Sequence, residues 1–393
     1  MEKGYGMANL ELEVPNSPDT KFRIGSITKT FTVAAILQLQ EQGRLSTSNS
    51  VCKYIENCPE SWKGITIHHL LTHTSGIPTY TSPQYMKIPA NVRSPHTPLE
   101  LVMLSRDKPL DFEPGSKYLY DNTGYAFLGA IIEKVSGEKY GDYLRTHIFD
   151  PLEMKNSGYD DMVTILQNRA SGYELWATGL ENARYQDMSV WHAAGAVYST
   201  VRDLYRWDRA LYTEKVLTKA SLTKAWSPEK DEHGYSWSLQ PMAGHKQIGH
   251  TGGVIGFESC IARFPDDDAF VVVLSNFEGT NPQGIAHELA MVIFGQKVLA
   301  PGERPSIEID SQVLDRYTGV YTNGSRTLTV TNEYGRLTIA GSGGIRWQAL
   351  AASETEFFIL EADATYTFVS GDGGRAKELH FNDGSRIITL KRK

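Results

Sequence analysis

Ser26 and Lys29 stand three apart in Arg23-Ile-Gly-Ser-Ile-Thr-Lys29, directly before an apolar run with helical spacing. At the start of a helix an i, i+3 pair shares one face. A serine hydroxyl is a poor nucleophile until a base takes its proton. A lysine becomes such a base when burial or neighbouring positive charge lowers its pKa from about 10.4. The helix N-terminus adds N–H groups and a positive dipole end, both of which favour negative charge developing at Ser26. The second group is Tyr118-Leu-Tyr120-Asp-Asn122. Tyr120 and Asn122, two apart, reach the same side of a short extended turn, where a phenol shuttles a proton and a carboxamide holds a substrate amide or ester. The third is Gly249-His250-Thr251-Gly252-Gly253, ahead of a strand-like stretch. Polar side chains beside glycines let a substrate backbone run along a strand edge. Taken singly, each has a blander reading: a capping serine with a solvated lysine, a turn whose aromatic packs inward, a hairpin with an exposed histidine.

The elements that must position these groups are legible in the hydrophobic pattern. Thr30 to Gln42 is spaced as a helix, with Gly43 as its C′ residue. A hydroxyl cap at Ser199-Thr200, an acid at Asp203, and Leu204, Trp207 and Leu211 on one face predict another helix. Ala269 to Ser275 reads as a buried strand and Ile285 to Phe294 as an apolar helix after it, so the class is mixed α/β. Near Leu299-Ala-Pro-Gly-Glu-Arg-Pro-Ser306 two prolines and a glycine mark a linker. Beyond it the apolar period changes to two. Thr327–Thr331 and Arg336–Ile339 flank Asn332-Glu-Tyr-Gly335 as a hairpin, and further short strands follow to Leu390. The pattern predicts a small antiparallel β-barrel or sandwich over about 313–393.

The order and spacing of the three groups resemble the penicillin-recognising serine hydrolases: S-x-x-K on a helix, then Y-x-N, then a basic residue with Thr-Gly before a strand. Ile65-Thr-Ile-His-His-Leu-Leu-Thr-His-Thr-Ser-Gly-Ile-Pro78, Ala193–Thr200 and Phe264 to Asn276 are similar to other segments of that superfamily, and the likeness runs over roughly residues 5 to 297. It implies an α/β (α+β) fold, with a β-lactamase-like antiparallel sheet, flanking helices and a helical subdomain, followed by a C-terminal lipocalin-like barrel. The implied division is 1–300 for the hydrolase domain, 301–312 for the linker and 313–393 for the barrel. Relative to other members the front of the fold is expected to lack a helix and a strand, with Met1–Gly6 resembling a strand that enters the sheet. By the same resemblance Ser26 is the acylated nucleophile, Lys29 its base, and Tyr120 a proton shuttle or a phenolate base. Asn122, His250 and Thr251 contact substrate, His250 either taking a carboxylate or supporting Tyr120. The N–H groups of Ser26 and Gly253 form the oxyanion hole. The implied substrates are small esters, or amides and peptides with D-residues; the alternatives are a β-lactamase, and a slowly acylated penicillin-binding sensor or a scaffold with little turnover. His250 replaces the commoner Lys, and Asp121 adds an acid beside the site.

Composition bounds the remaining readings. The 393 residues carry 39 Lys and Arg against 46 Asp and Glu, a net charge of −7, which argues against a nucleic-acid surface. No apolar run reaches the roughly 18 residues needed for a membrane span. No cofactor motif is found, and Gly252-Gly-Val-Ile-Gly256 opens no βαβ unit. His68, His69 and His73 lack the H-E-x-x-H pattern of a zinc site, so no metal is expected. The three cysteines read as unpaired thiols in preference to a Cys52–Cys58 loop, with Cys260 as a small buried hydrophobe. Met1–Gly6 has no secretory pattern: the chain reads as cytoplasmic as written, and as extracytoplasmic if residues precede Met1. Oligomeric state has no signature in the sequence.

Overall fold

The computed structural model describes residues 1–176, 179–298, 305–324, 326–341, 346–359, 364–371, 374–382 and 387–393. Its backbone divides into two compact units: Met1–Gly172 with Ala183–Glu278, and Tyr173–Asn182 with Gly279–Lys393.

In the first unit the central helix is α1, Thr28–Glu41. Every residue from Thr28 to Leu37 is buried, the polar Thr28, Lys29, Thr30 and Thr32 included, as in a helix surrounded by protein. Gly43 follows in the left-handed region with φ +69°, and its N–H donates to Gln40 O at 2.9 Å, the C′ role its position predicts. Helix α2, Thr123–Ser136, ends on Gly137 at φ +78°. Helix α3, Val201–Ala210, is capped by the Thr200 side chain, which accepts the Asp203 N–H. Phe31 of α1 lies with its ring centroid 4.6 Å from Trp207 of α3 and 5.2 Å from Phe149, so the helices share one apolar core.

Three antiparallel strands, β1 (Ile248–Val254), β2 (Phe257–Phe264) and β3 (Ala269–Ser275), are ordered β3-β2-β1. Residues His250 to Gly253 therefore lie on an edge strand, in register with Ile261 to Glu258. Cys260 on β2 is a free, buried thiol that burial pushes up to about 12. A smaller sheet places Val197–Ser199 between Phe22–Arg23 and Gly158–Tyr159.

Two expectations are corrected here. Cys52 and Cys58 form a disulfide, with Cα atoms 5.3 Å apart; the short helical turn Val51–Lys53 folds the intervening loop back, which the six-residue spacing alone does not reveal. Met1–Gly6 forms no strand. The first strand is Met7–Asn9, paired with Val14–Pro15.

The second unit contains a hairpin (Tyr173–Trp176 with Gly179–Asn182), helix α4 (Pro282–Ile293) and the barrel. Helix α4 starts earlier than its apolar run because the Asn281 side chain accepts the Gly284 N–H and Pro282 occupies the first turn. The alternating C-terminal segment is a closed antiparallel barrel of eight strands: β4 (Gly319–Thr322), β5 (Thr327–Glu333), β6 (Arg336–Gly341), β7 (Arg346–Ala351), β8 (Glu356–Ile359), β9 (Ala364–Ser370), β10 (Ala376–Asn382) and β11 (Ile387–Arg392). Closure is made by β4 against β11, leaving no free edge. The β5–β6 hairpin turns on two residues, Tyr334 and Gly335, both at positive φ, the geometry that matches strand twist. Residues 301–304, the start of the expected linker, lie outside the described residues. Among the described residues no helix is long and apolar enough to cross a membrane.

Candidate active site

Ser26 sits on a short 3-10 turn, Gly25–Ile27, that runs directly into α1. Gly25 takes φ +50°, a conformation that side chains resist, and this bend sets the serine at the mouth of the helix. One turn on, Lys29 is fully buried. Its Nζ lies 3.1 Å from Ser26 Oγ and donates to Asn122 Oδ1 and Ala194 O, both at 2.8 Å. The rings of Tyr120 and Tyr125 face the same nitrogen, 4.8 and 5.3 Å from their centroids. Burial holds the ammonium well below its ordinary pKa, against a smaller opposing pull from Asp121. A neutral amine has two N–H donors and one lone pair. When Lys29 is in that form, two carbonyl oxygens take the donors and the lone pair is left for the serine hydroxyl.

Tyr120 approaches Ser26 from the other side and donates from its hydroxyl to Ser26 Oγ at 2.7 Å. Desolvation raises the phenol above its ordinary value, although the Ser26 bond pulls the other way. The hydroxyl is therefore protonated near neutral pH. Asn122 is fixed by its neighbours: Oδ1 takes the Lys29 bond and Nδ2 donates to Thr81 Oγ1 at 3.0 Å. Asp121, between them in sequence, turns away into the protein. It accepts the Gly124 N–H at 2.5 Å and so caps α2.

The edge strand meets the serine turn backbone to backbone. A methyl group at Gly252 would lie 2.1 Å from Ile24 O and 2.9 Å from Ser26 N, and one at Gly25 would lie 2.7 Å from Gly253 N. Ser259 of β2 staples the two by donating to Ile24 O at 2.8 Å. This packing brings the backbones of Ser26 and Gly253 side by side. Behind Gly253, burial with Glu278 alongside pushes the Glu258 carboxyl up to about 8, so it is largely uncharged at neutral pH.

His250 lies on the serine side of β1, its ring 6.5 Å from that of Tyr120. Both of its nitrogens are engaged within the protein: Nε2 with Ser236 Oγ at 3.0 Å, Nδ1 with the carbonyl of Thr251. Desolvation, with Lys29 nearby, pushes its pKa down to about 3. The ring is neutral, and the partial charge expected of a histidine here is absent. Thr251 is exposed on the strand edge.

Four contributing residues were not read from the sequence. Ala194 supplies a carbonyl to Lys29; Thr79 and Thr81 anchor Asn122; and His73 lies under Tyr120, ring centroids 4.5 Å apart. Only His73 carried a signal, its place in the His-Thr-Ser-Gly segment. Among the described residues no three His, Cys, Asp or Glu side chains are grouped to hold a metal.

The chain is similar to several known proteins. A family model described as Beta-lactamase matches residues 1–296. Penicillin-binding protein 4* of Bacillus subtilis is 30% identical over 99% of this chain and 91% of its own length. A teichoic acid D-alanine hydrolase of Staphylococcus aureus is 27% identical over 73% and 70%. Among solved structures, the octameric penicillin-binding protein homologue from Pyrococcus abyssi matches with a TM-score of 0.71 at 28% identity, over 99% of this chain and 92% of that one. The D-amino acid amidase from Ochrobactrum anthropi matches with a TM-score of 0.62 at 26% identity, over 69% and 81%. With its family model covering the whole serine, tyrosine and edge-strand constellation, the chain belongs to the beta-lactamase family.

Proposed function

We propose that this protein is a serine hydrolase that forms an acyl-enzyme on Ser26 and acts on small esters or on amides of D-amino acids. The observation that carries the reading is the double approach to one oxygen: Ser26 Oγ lies 3.1 Å from a desolvated Lys29 amine and 2.7 Å from the Tyr120 hydroxyl. Lys29 takes the serine proton as Oγ bonds the substrate carbonyl carbon. The carbonyl oxygen becomes an oxyanion between the N–H groups of Ser26 and Gly253, each such donor contributing about 3 kcal/mol in the transition state. Tyr120, protonated as it stands, passes its proton to the departing oxygen or nitrogen and is resupplied from Lys29. Water then attacks the ester on Ser26 by the reverse relay, releasing the acid and restoring the serine. Asn122 and the edge at Thr251 orient the scissile group.

The substrate class rests on His250. With both ring nitrogens held by the protein, it has no free N–H for a substrate carboxylate. That disfavours β-lactams and C-terminal peptide carboxylates, and favours acyl donors that lack an anion at this end. The D-alanine hydrolase and D-amino acid amidase among the relatives support D-residue substrates.

The test sets wild type and Ser26→Ala against p-nitrophenyl acetate, D-alanyl p-nitroanilide, a fluorescent penicillin and a chromogenic cephalosporin. Turnover of the first two, lost in Ser26→Ala, is the expected result. Absence of both turnover and labelling with all four overturns the proposal. Stable penicillin labelling without turnover would assign a sensor instead.

A further inference from the structure

His73 is held in a way that packing alone does not require. It is 1% exposed and adopts φ +54°, a left-handed conformation uncommon for a residue with a side chain. Its main-chain carbonyl accepts the Leu119 N–H at 3.0 Å. Its imidazole Nδ1 accepts the Asp121 N–H at 3.2 Å. The two bonds bracket Tyr120 from either side in the chain, while the ring lies beneath the Tyr120 ring at 4.5 Å and is tilted by 32°. Tyr125 and Tyr118 complete the box at 4.9 and 5.8 Å. Because Nδ1 is an acceptor, the ring proton sits on Nε2, and that buried nitrogen has no hydrogen-bond partner among the described residues. A buried N–H left unpaired is costly, and a leucine in the same space would avoid that cost.

We infer that His73 is the positioning residue for Tyr120: by clamping the N–H groups on either side of it and supporting its ring, His73 fixes the phenol against Ser26 Oγ. The inference rests on the reading of Tyr120 as the proton shuttle. It assigns His73 no contact with substrate. A misplacement of about 1 Å in a reacting group can cost about 100-fold in rate, which sets the effect expected when the clamp is removed.

The experiment compares His73→Gly and His73→Asn, each with Tyr120 intact and in a Tyr120→Phe background, using D-alanyl p-nitroanilide, whose leaving nitrogen must take a proton. Glycine accepts the left-handed backbone but has neither ring nor acceptor; a kcat fall of about 100-fold with unchanged KM is expected. Asparagine also tolerates this backbone, and its Oδ1 can accept the Asp121 N–H, so it should recover most of that loss. With Tyr120→Phe, which itself lowers kcat, His73→Gly should add nothing further, because a residue acting through Tyr120 has nothing left to position. Equal losses in both backgrounds, or asparagine no better than glycine, overturn the inference. If Tyr120→Phe alone keeps the wild-type rate, the shuttle reading fails instead. Should His73→Gly not fold, His73→Gln takes its place: its longer side chain carries the acceptor past the Nδ1 position, and the same loss is expected.

Discussion

A lysine with no exposed surface must either find an anion or surrender its proton. For Lys29 the acid whose charge acts on it is Asp121, which caps α2 and does not bond the amine. Burial wins over that attraction, and the pKa falls well below the ordinary value. Only the unprotonated amine can take the Ser26 proton, so kcat/KM should rise with pH through a limb below the usual lysine range of about 10.4. Asp121 raises the Lys29 pKa; removing its charge must move that limb to lower pH. Asp121→Asn is the clean variant, since asparagine can still accept the Gly124 N–H as a cap. A pH profile of kcat/KM for wild type and Asp121→Asn checks the sign, and a limb that stays or moves upward contradicts it. His250, already neutral with a pKa of about 3, should contribute no step between pH 5 and 8. At this scale the sequence was informative where chemistry and spacing coincide. Ser26 and Lys29 are near neighbours on one helical turn, and Tyr120 and Asn122 share a motif. His73 and Ala194 were not legible, because their roles are hydrogen bonds to distant segments, and a histidine or a main-chain carbonyl carries no mark of its partner.

Between elements the decisive contact is that of β1 with the turn before α1. The strand comes close enough to present Gly253 N beside Ser26 only because position 252 has no side chain: a methyl group there would lie 2.1 Å from Ile24 O. Gly252 has no left-handed φ, so alanine is excluded by space, not by backbone strain. Gly252→Ala should push the strand from the turn by a fraction of an ångström or more and lower kcat by about 10- to 100-fold. The fold should survive, since the displaced atoms belong to an edge strand. Single-turnover acylation with p-nitrophenyl acetate alongside a thermal melt checks this; an unchanged rate would show that Gly253 is not an oxyanion donor. Element boundaries were readable to within about two residues for α1 and α3, where caps agree with periodicity. Helix α4 began earlier than its apolar run because Asn281 and Pro282 start it by capping. The Cys52–Cys58 bridge was misread for a related reason: loop geometry decides a disulfide, and two cysteines at a given spacing do not specify it.

Across the whole molecule, apolar packing is divided between separate cores. One set gathers around α1 and α2 and another fills the barrel, where Tyr321, Ile339, Phe357, Leu379 and Leu390 are almost completely buried. The change from mixed to strict period-two patterning near residue 313 made the barrel legible, because alternation has one meaning once a sheet closes on itself. The two-residue turn at Tyr334-Gly335 was not legible, as a four-residue turn fits the same letters. If each unit is held by its own core, damage to one should leave the other standing. Leu379 is 0% exposed, and truncating such a leucine to alanine costs about 2–5 kcal/mol through lost burial and the cavity left behind. The full chain carrying Leu379→Ala should therefore show one calorimetric transition shifted down and a second at its wild-type temperature. Ser26-dependent hydrolysis of p-nitrophenyl acetate below both transitions should be unchanged. A single transition that shifts as a whole would mean the barrel and the catalytic unit unfold cooperatively. A loss of kcat in the folded variant would mean that the barrel takes part in shaping the site around Ser26.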